Sequence, residues 1–270
     1  MTMRLLDGKV ALVTGAGRGL GRAFAERLAA LGCNVAVHGM REHGPSEYGG
    51  TESLSDVARL IGKQYDVRTI KILGDLTLTD DIMRITHLAT AELGAIDILV
   101  HNAGGDIAAA GGKPDPNDAL DIKPEDVRAV VERNLLSTIF ICQEVARGMM
   151  ERRSGRIITI GSVAAFKGRT NGAIYATAKA GALHYTRCLA DQLRPFNVTA
   201  NVIAPGDTRT ERFLATRAVD PARLAEDGTL DRIAMVDEVA RVVEFFAGPM
   251  GAFVSGQVIR VDGGGQAWPA

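Results

Sequence analysis

The chain has 270 residues, 46% of them hydrophobic and 23% charged, with 31 basic against 32 acidic side chains and a formal charge of -1. That balance describes a soluble globular protein with a sizeable core. It offers no global positive field for gripping nucleic acid, so any anion site must be local. Cys33, Cys142 and Cys188 are too few and too far apart for a disulfide framework or a zinc set, and no uncharged apolar stretch is long enough to span a membrane. A reducing cytoplasm is the expected location, with no export leader.

In chain order, short β-branched runs fall at 10–14, 34–37, 68–73, 96–100, 156–160, 198–203 and 258–261. Between them lie stretches of helical period at 20–31, about 53–64, 79–93, 124–152, 173–193 and 237–247. Several runs are nearly continuous in apolar residues, as parallel strands covered on both faces require. The alternation predicts an α/β fold: a Rossmann-type three-layer αβα sandwich around a doubly wound parallel sheet of about seven strands. No repeat or linker divides the chain, so one domain spanning 1–270 is expected. Two long polar segments, about 104–123 and 206–236, follow predicted strands and are read as substrate loops at the carboxyl edge of the sheet.

Glycine is in excess, with 31 residues where ~7% is usual, and its densest cluster follows the first strand. Thr14-Gly15-Ala16-Gly17-Arg18-Gly19-Leu20-Gly21 leads from that strand into a helix. Such a loop lets backbone N–H groups and the helix dipole approach a pyrophosphate, and a dinucleotide site follows from the strand before it and the helix after it. A tight turn would need only one or two of these glycines. The stretch after the second strand, Val37-His38-Gly39-Met40-Arg41, lacks the acid that usually holds the adenosine ribose. With Arg18 and Arg41 nearby, a cationic pocket suited to a 2′-phosphate is expected. NADP(H) is therefore favoured, with NAD(H) the alternative.

Tyr175 and Lys179 stand four residues apart in a predicted helix and share one face. A nearby ammonium favours the phenolate, which would bring a phenol of ordinary pKa ~10 toward a useful acid/base range. Ser162, just past the fifth strand, could hold a substrate carbonyl.

These residues, taken with His101-Asn102-Ala103-Gly104, Asn134, Pro205-Gly206, Thr210 and Asp262-Gly263-Gly264, make the chain resemble the short-chain dehydrogenase/reductase family over nearly its whole length. The resemblance implies an oxidoreductase that moves hydride between a nicotinamide and a carbonyl or alcohol carbon. Tyr175 would be general acid or base, Ser162 would polarise the substrate oxygen, and Lys179 would lower the Tyr175 pKa and hold the nicotinamide ribose. Asn134 would hold a water linking Lys179 to solvent. Gly15, Gly17, Arg18, Gly19, Leu20 and Gly21 would cradle phosphate and Asp75 and Leu76 would meet adenine. Asn102, Ala103 and Gly104 would line the cofactor channel, with Pro205, Gly206, Thr208 and Thr210 reaching carboxamide or phosphate. No metal is called for. Two departures stand out: His101 replaces the family's first Asn and is read as a structural, hydrogen-bonded histidine, and the stretch from Gly104 to Asn134 is several residues longer than the family's.

Charged residues in the expected walls, Asp106, Arg169 and Arg209 foremost, suggest a small polar or anionic substrate such as a sugar derivative or hydroxy acid. Small residues Ala176, Ala180, Gly181 and Ala182 permit close helix approach, and the resemblance implies a homotetramer or homodimer. The alternatives are a 3-oxoacyl-carrier-protein-type reductase, for which Arg147, Arg152 and Arg153 offer a modest basic cluster, and a non-catalytic dinucleotide-binding regulator.

Overall fold

The computed structural model describes residues 4–48 and 51–267. Runs rich in Val and Ile extend because branching at Cβ restricts χ1 and packs well on a pleated surface. They form β1 (Val10–Thr14), β2 (Asn34–Gly39), β3 (Thr69–Leu73), β4 (Ile98–His101), β5 (Gly155–Ile160), β6 (Val198–Pro205) and β7 (Val258–Val261). All pair in parallel, in the order β3-β2-β1-β4-β5-β6-β7. The helices are α1 (Gly19–Ala30), α2 (Leu54–Tyr65), α3 (Thr79–Leu93), α4 (Pro124–Val131), α5 (Ser137–Arg152), α6 (Ala173–Leu193), α7 (Glu211–Thr216) and α8 (Val236–Ala247).

Alternate strand residues enter opposite cores. Val13, Val37, Val100 and Ile158 meet Phe24 and Leu28 of α1, Leu54 of α2 and Phe246 of α8. Leu12, Ile72, Leu99 and Ile157 meet Ile85 of α3, Ile141 and Met149 of α5 and Leu189 of α6. The result is the expected three-layer sandwich. Strand order reverses direction between β1 and β4, which opens a crevice at their carboxyl ends.

Two regions differ from the expectation. The helix expected over 124–152 is interrupted by a π-helical turn, Glu132–Leu136, around Asn134. Side chains compete there for backbone carbonyls: Asn134 Nδ2 donates to Val130 O (2.8 Å), Ser137 Oγ to Arg133 O (2.7 Å) and Thr138 Oγ1 to Asn134 O (2.8 Å). Segment 206–236 is more organised than its polarity implied. Thr210 caps α7 by accepting from Phe213 N, and a bridge between Thr208 and Ala234 closes the segment on itself. Among the described residues no helix is long and apolar enough to cross a membrane.

Candidate active site

The amino end of α1 has no side-chain cap and no acid in its first turn, whereas α2, α3, α4 and α8 each carry one or more. Its first amides are therefore available to an anion. The glycines leading into it are required by contact as well as conformation. Gly15 has φ +63, and a Cβ at Gly21 would lie 2.0 Å from the Gly15 carbonyl oxygen. Asn102 Nδ2 donates to that same carbonyl (3.2 Å), and the Thr14 hydroxyl accepts from Asn102 N and Ala103 N, so the ends of β1 and β4 are tied together.

A cavity of about 360 Å³ opens beside this loop, lined by Gly15, Arg18, Gly19, Leu20, Asp75, Leu76, Asn102, Ala103, Gly104 and Thr210. A second, about 430 Å³, adjoins it at Gly17, Arg18 and Arg41. The uncapped helix end, the glycine cradle and this elongated groove fit a dinucleotide.

His38 also lines the groove, and sequence reasoning missed it. Its Nδ1 accepts from Gly15 N (3.4 Å) and its Nε2 donates to Gly74 O (3.1 Å), stapling the glycine loop to the end of β3. Burial pushes its pKa down to about 4, so it stays neutral. His101 fulfils its structural reading. Thr14 Oγ1 already accepts two amides, so its proton goes to His101 Nδ1 (3.0 Å), and burial holds this histidine at about 3.

A third cavity, about 690 Å³, continues from the groove past Leu20, Asn102, Gly104 and Thr210. Ser162, Tyr175 and Lys179 line it, with Pro205, Gly206, Thr208, Asp106 and Arg169. Ser162 lies two residues past the end of β5 and Tyr175 sits in the first turn of α6, so one strand end and one helix start bring the two hydroxyls to the same cavity. Lys179, one turn on and buried, donates to Ile160 O (2.8 Å), and burial lowers its pKa to about 8. It remains mostly charged at neutral pH.

The phenol corrects the expectation of a lowered pKa. Burial raises the Tyr175 pKa, outweighing the lowering influence of the Ser162 hydroxyl, and the Asp106 carboxylate raises it further. Lys179 Nζ lies 5.9 Å from the ring centroid and is turned to the β5 carbonyl, so it does not offset that burial.

Two further side chains take other positions than expected. Asn134 is completely buried behind the channel, where its side chain accepts from Gly105 N (2.9 Å) and donates to Gly105 O (2.9 Å) and Val130 O. It clamps the loop after β4, with both of its amide hydrogens engaged. Arg209 turns away from the cleft toward Leu224 O (3.4 Å) and Glu226 (3.3 Å), because the bridge at Thr208 directs it outward. Arg212, one turn along, takes the wall position and donates to Asp106 O (3.2 Å). Arg18 and Arg41 line one cavity, and Glu47 contacts both.

Segment 104–123 serves both sides of the groove. Ala109 to Lys113 face Arg18 and Arg41, while Asp106 and Asn117 face Tyr175. Asn117 Nδ2 donates to Asp106 Oδ2 (2.7 Å), and Asn117 O accepts from Gly172 N (2.8 Å), which docks the segment on the start of α6. The signal for these residues was the extra loop length.

A dinucleotide groove running into a Ser–Tyr–Lys cleft at the carboxyl edge of a parallel sheet defines a nicotinamide-dependent oxidoreductase of carbonyl and alcohol groups. The short chain dehydrogenase family model matches residues 9–219, and the chain belongs to that family. It is 39% identical over 268 residues to cyclohexanol dehydrogenase of Rhodococcus sp. (strain TK6), covering 96% of each chain. It is 34% identical over 258 residues to the 3-oxoacyl-(acyl-carrier-protein) reductase of Escherichia coli (strain K12), covering 96% of this chain and 97% of that one. Among solved structures, a 7α-hydroxysteroid dehydrogenase complexed with NADH and 7-oxo glycochenodeoxycholic acid superposes with a TM-score of 0.81 at 30% identity, covering 96% of this chain and 95% of that chain.

Proposed function

We propose that this protein interconverts a ketone and a secondary alcohol on a small, polar, multiply oxygenated substrate, with NADP(H) favoured as cofactor. The observation that carries the reading is that Ser162, Tyr175 and Lys179 line one cleft that continues from the dinucleotide groove. The dinucleotide, when bound, supplies or accepts the hydride. Ser162 accepts from Ala164 N (3.1 Å), which orients its hydroxyl, and Ser162 holds the substrate oxygen next to the phenol. Tyr175 carries its proton at neutral pH and gives it to that oxygen in reduction; in oxidation the phenolate takes it back. Lys179 has donors to spare beyond Ile160 O for a ribose hydroxyl.

Substrate polarity is supported by the cleft wall. Asp106 and Asn117 set polar side chains in that wall, which suits hydroxyl groups on the ligand. Arg169, Arg212 and Arg217 line the same cleft and suit an anionic substituent. A carrier-protein substrate is less well served. Arg152 donates to Ile96 O (2.8 Å), Arg153 to Pro195 O (2.7 Å), and Arg147 pairs with Glu144, so the basic cluster is not presented as one patch.

Arg18 and Arg41 support the NADP(H) preference, and the half-buried small residues Ala176, Ala180 and Gly181 of α6 support pairing of copies into a dimer or tetramer, in a cytoplasmic setting. A panel of cyclic ketones, sugar acids, hydroxy acids and 3-oxoacyl thioesters, assayed with each cofactor by nicotinamide absorbance, tests the reading. Turnover confined to apolar ketones or to carrier-linked substrates would overturn the substrate class.

A further inference from the structure

The connection between β2 and α2 runs over residues 40–53, longer than the two to six residues usual in such units. Within it a short turn, Pro45–Tyr48, folds back over the glycine loop. Pro45 leaves no room for a Cβ at Gly17, coming within 2.9 Å of where one would sit. The Arg18 guanidinium stacks 4.5 Å from the Tyr48 ring centroid and donates to Gly44 O (2.9 Å).

One carboxylate oxygen then joins the two arginines. Glu47 Oε2 lies 2.8 Å from Arg18 Nη2 and 3.7 Å from Arg41 Nη2. All three side chains retain solvent access, at 28%, 40% and 65% for Arg18, Glu47 and Arg41. An oxygen anion between two guanidinium groups at the adenosine end of the groove takes the position a phosphate oxygen would seek.

We propose that Glu47 is an internal competitor for the 2′-phosphate site and thereby sets how strongly the protein distinguishes phosphorylated from unphosphorylated dinucleotides. With Glu47 in place, a dinucleotide lacking the extra phosphate meets a half-neutralised pair and a ready acceptor for ribose hydroxyls. A 2′-phosphate must displace the carboxylate into solvent. The turn itself stays seated through Pro45 and Tyr48, so the exchange is a side-chain rotation. This inference rests on Arg18 and Arg41 lying at the adenosine ribose, as the proposed cofactor preference does.

The test is calorimetric titration of the wild-type protein and Glu47→Gln with NADP⁺, NAD⁺ and adenosine 2′,5′-bisphosphate. Glu47→Gln is expected to tighten NADP⁺ and the bisphosphate roughly three- to fivefold and to change NAD⁺ by less than about twofold, the scale of one exposed ion pair. Glu47→Ala should behave alike, with the melting temperature of both variants checked against the parent. Unchanged or weaker binding of both phosphorylated ligands, or an equal change for all three, overturns the inference. The wild-type ratio of NADP⁺ to NAD⁺ affinity judges the preference separately. A wild type that favours NAD⁺ while Glu47→Gln still gains for NADP⁺ overturns the preference and upholds the competitor.

Discussion

Tyr175 and Lys179 occupy one helical turn, and the spacing was legible at once because i and i+4 share a face. Their protonation was not legible, since it depends on burial that α6 acquires only against β5. With the phenol raised by burial, Tyr175→Phe is expected to lower turnover by about 10³-fold while leaving dinucleotide affinity nearly unchanged, as steady-state rates and titration would show. The direction of the shift also sets a pH dependence. Reduction needs the protonated phenol and should hold from neutral pH until the phenol ionises, whereas oxidation needs the phenolate and should rise with pH across the alkaline range. Rate profiles in both directions check this, and an oxidative rate that falls from pH 7 to 9 would contradict it.

At the level of elements, the glycine loop and the π-helical turn hold the two walls of the groove. The loop was readable from its position between a strand and a helix. Gly21 needs to be glycine because its neighbour is the Gly15 carbonyl, and Gly21→Ala is expected to cost about 2 kcal/mol or more in urea unfolding and to weaken dinucleotide binding. The role of Asn134 depended on a contact with Gly105 that spacing along a helix cannot reveal. Asn134→Asp loses the donor to Gly105 O and Val130 O and places a carboxylate in a buried site. A drop of about 1–3 kcal/mol in stability is expected, with faster amide exchange in segment 104–123 as the accompanying sign.

Across the whole molecule, two buried neutral histidines, His38 and His101, link stability to pH. Their folded pKa values, about 4 and about 3, lie below the ordinary 6.5, so the unfolded chain takes up protons that the native state refuses. Their contribution is fully present above pH 6.5 and is lost as pH falls toward 4 and 3. Carboxylates held low by partners, such as Glu42 and Glu238 at about 2, act in a lower window, below about 4.5. A decline on the order of a few kcal/mol between pH 6.5 and 4.5, followed by urea titration, is therefore expected from the histidines, and His101→Asn should flatten part of it.

Fold class, dinucleotide groove and the proposed Ser–Tyr–Lys chemistry were carried by residues close in sequence or ordered along it, where period and local backbone geometry decide the outcome. The destination of Arg209, the engagement of Asn134 and the meeting of Glu47 with Arg18 and Arg41 were decided only in three dimensions. Each depends on which loop packs against which edge of the sheet. Glu47 follows Arg18 by 29 residues, and that separation leaves no trace in any local pattern.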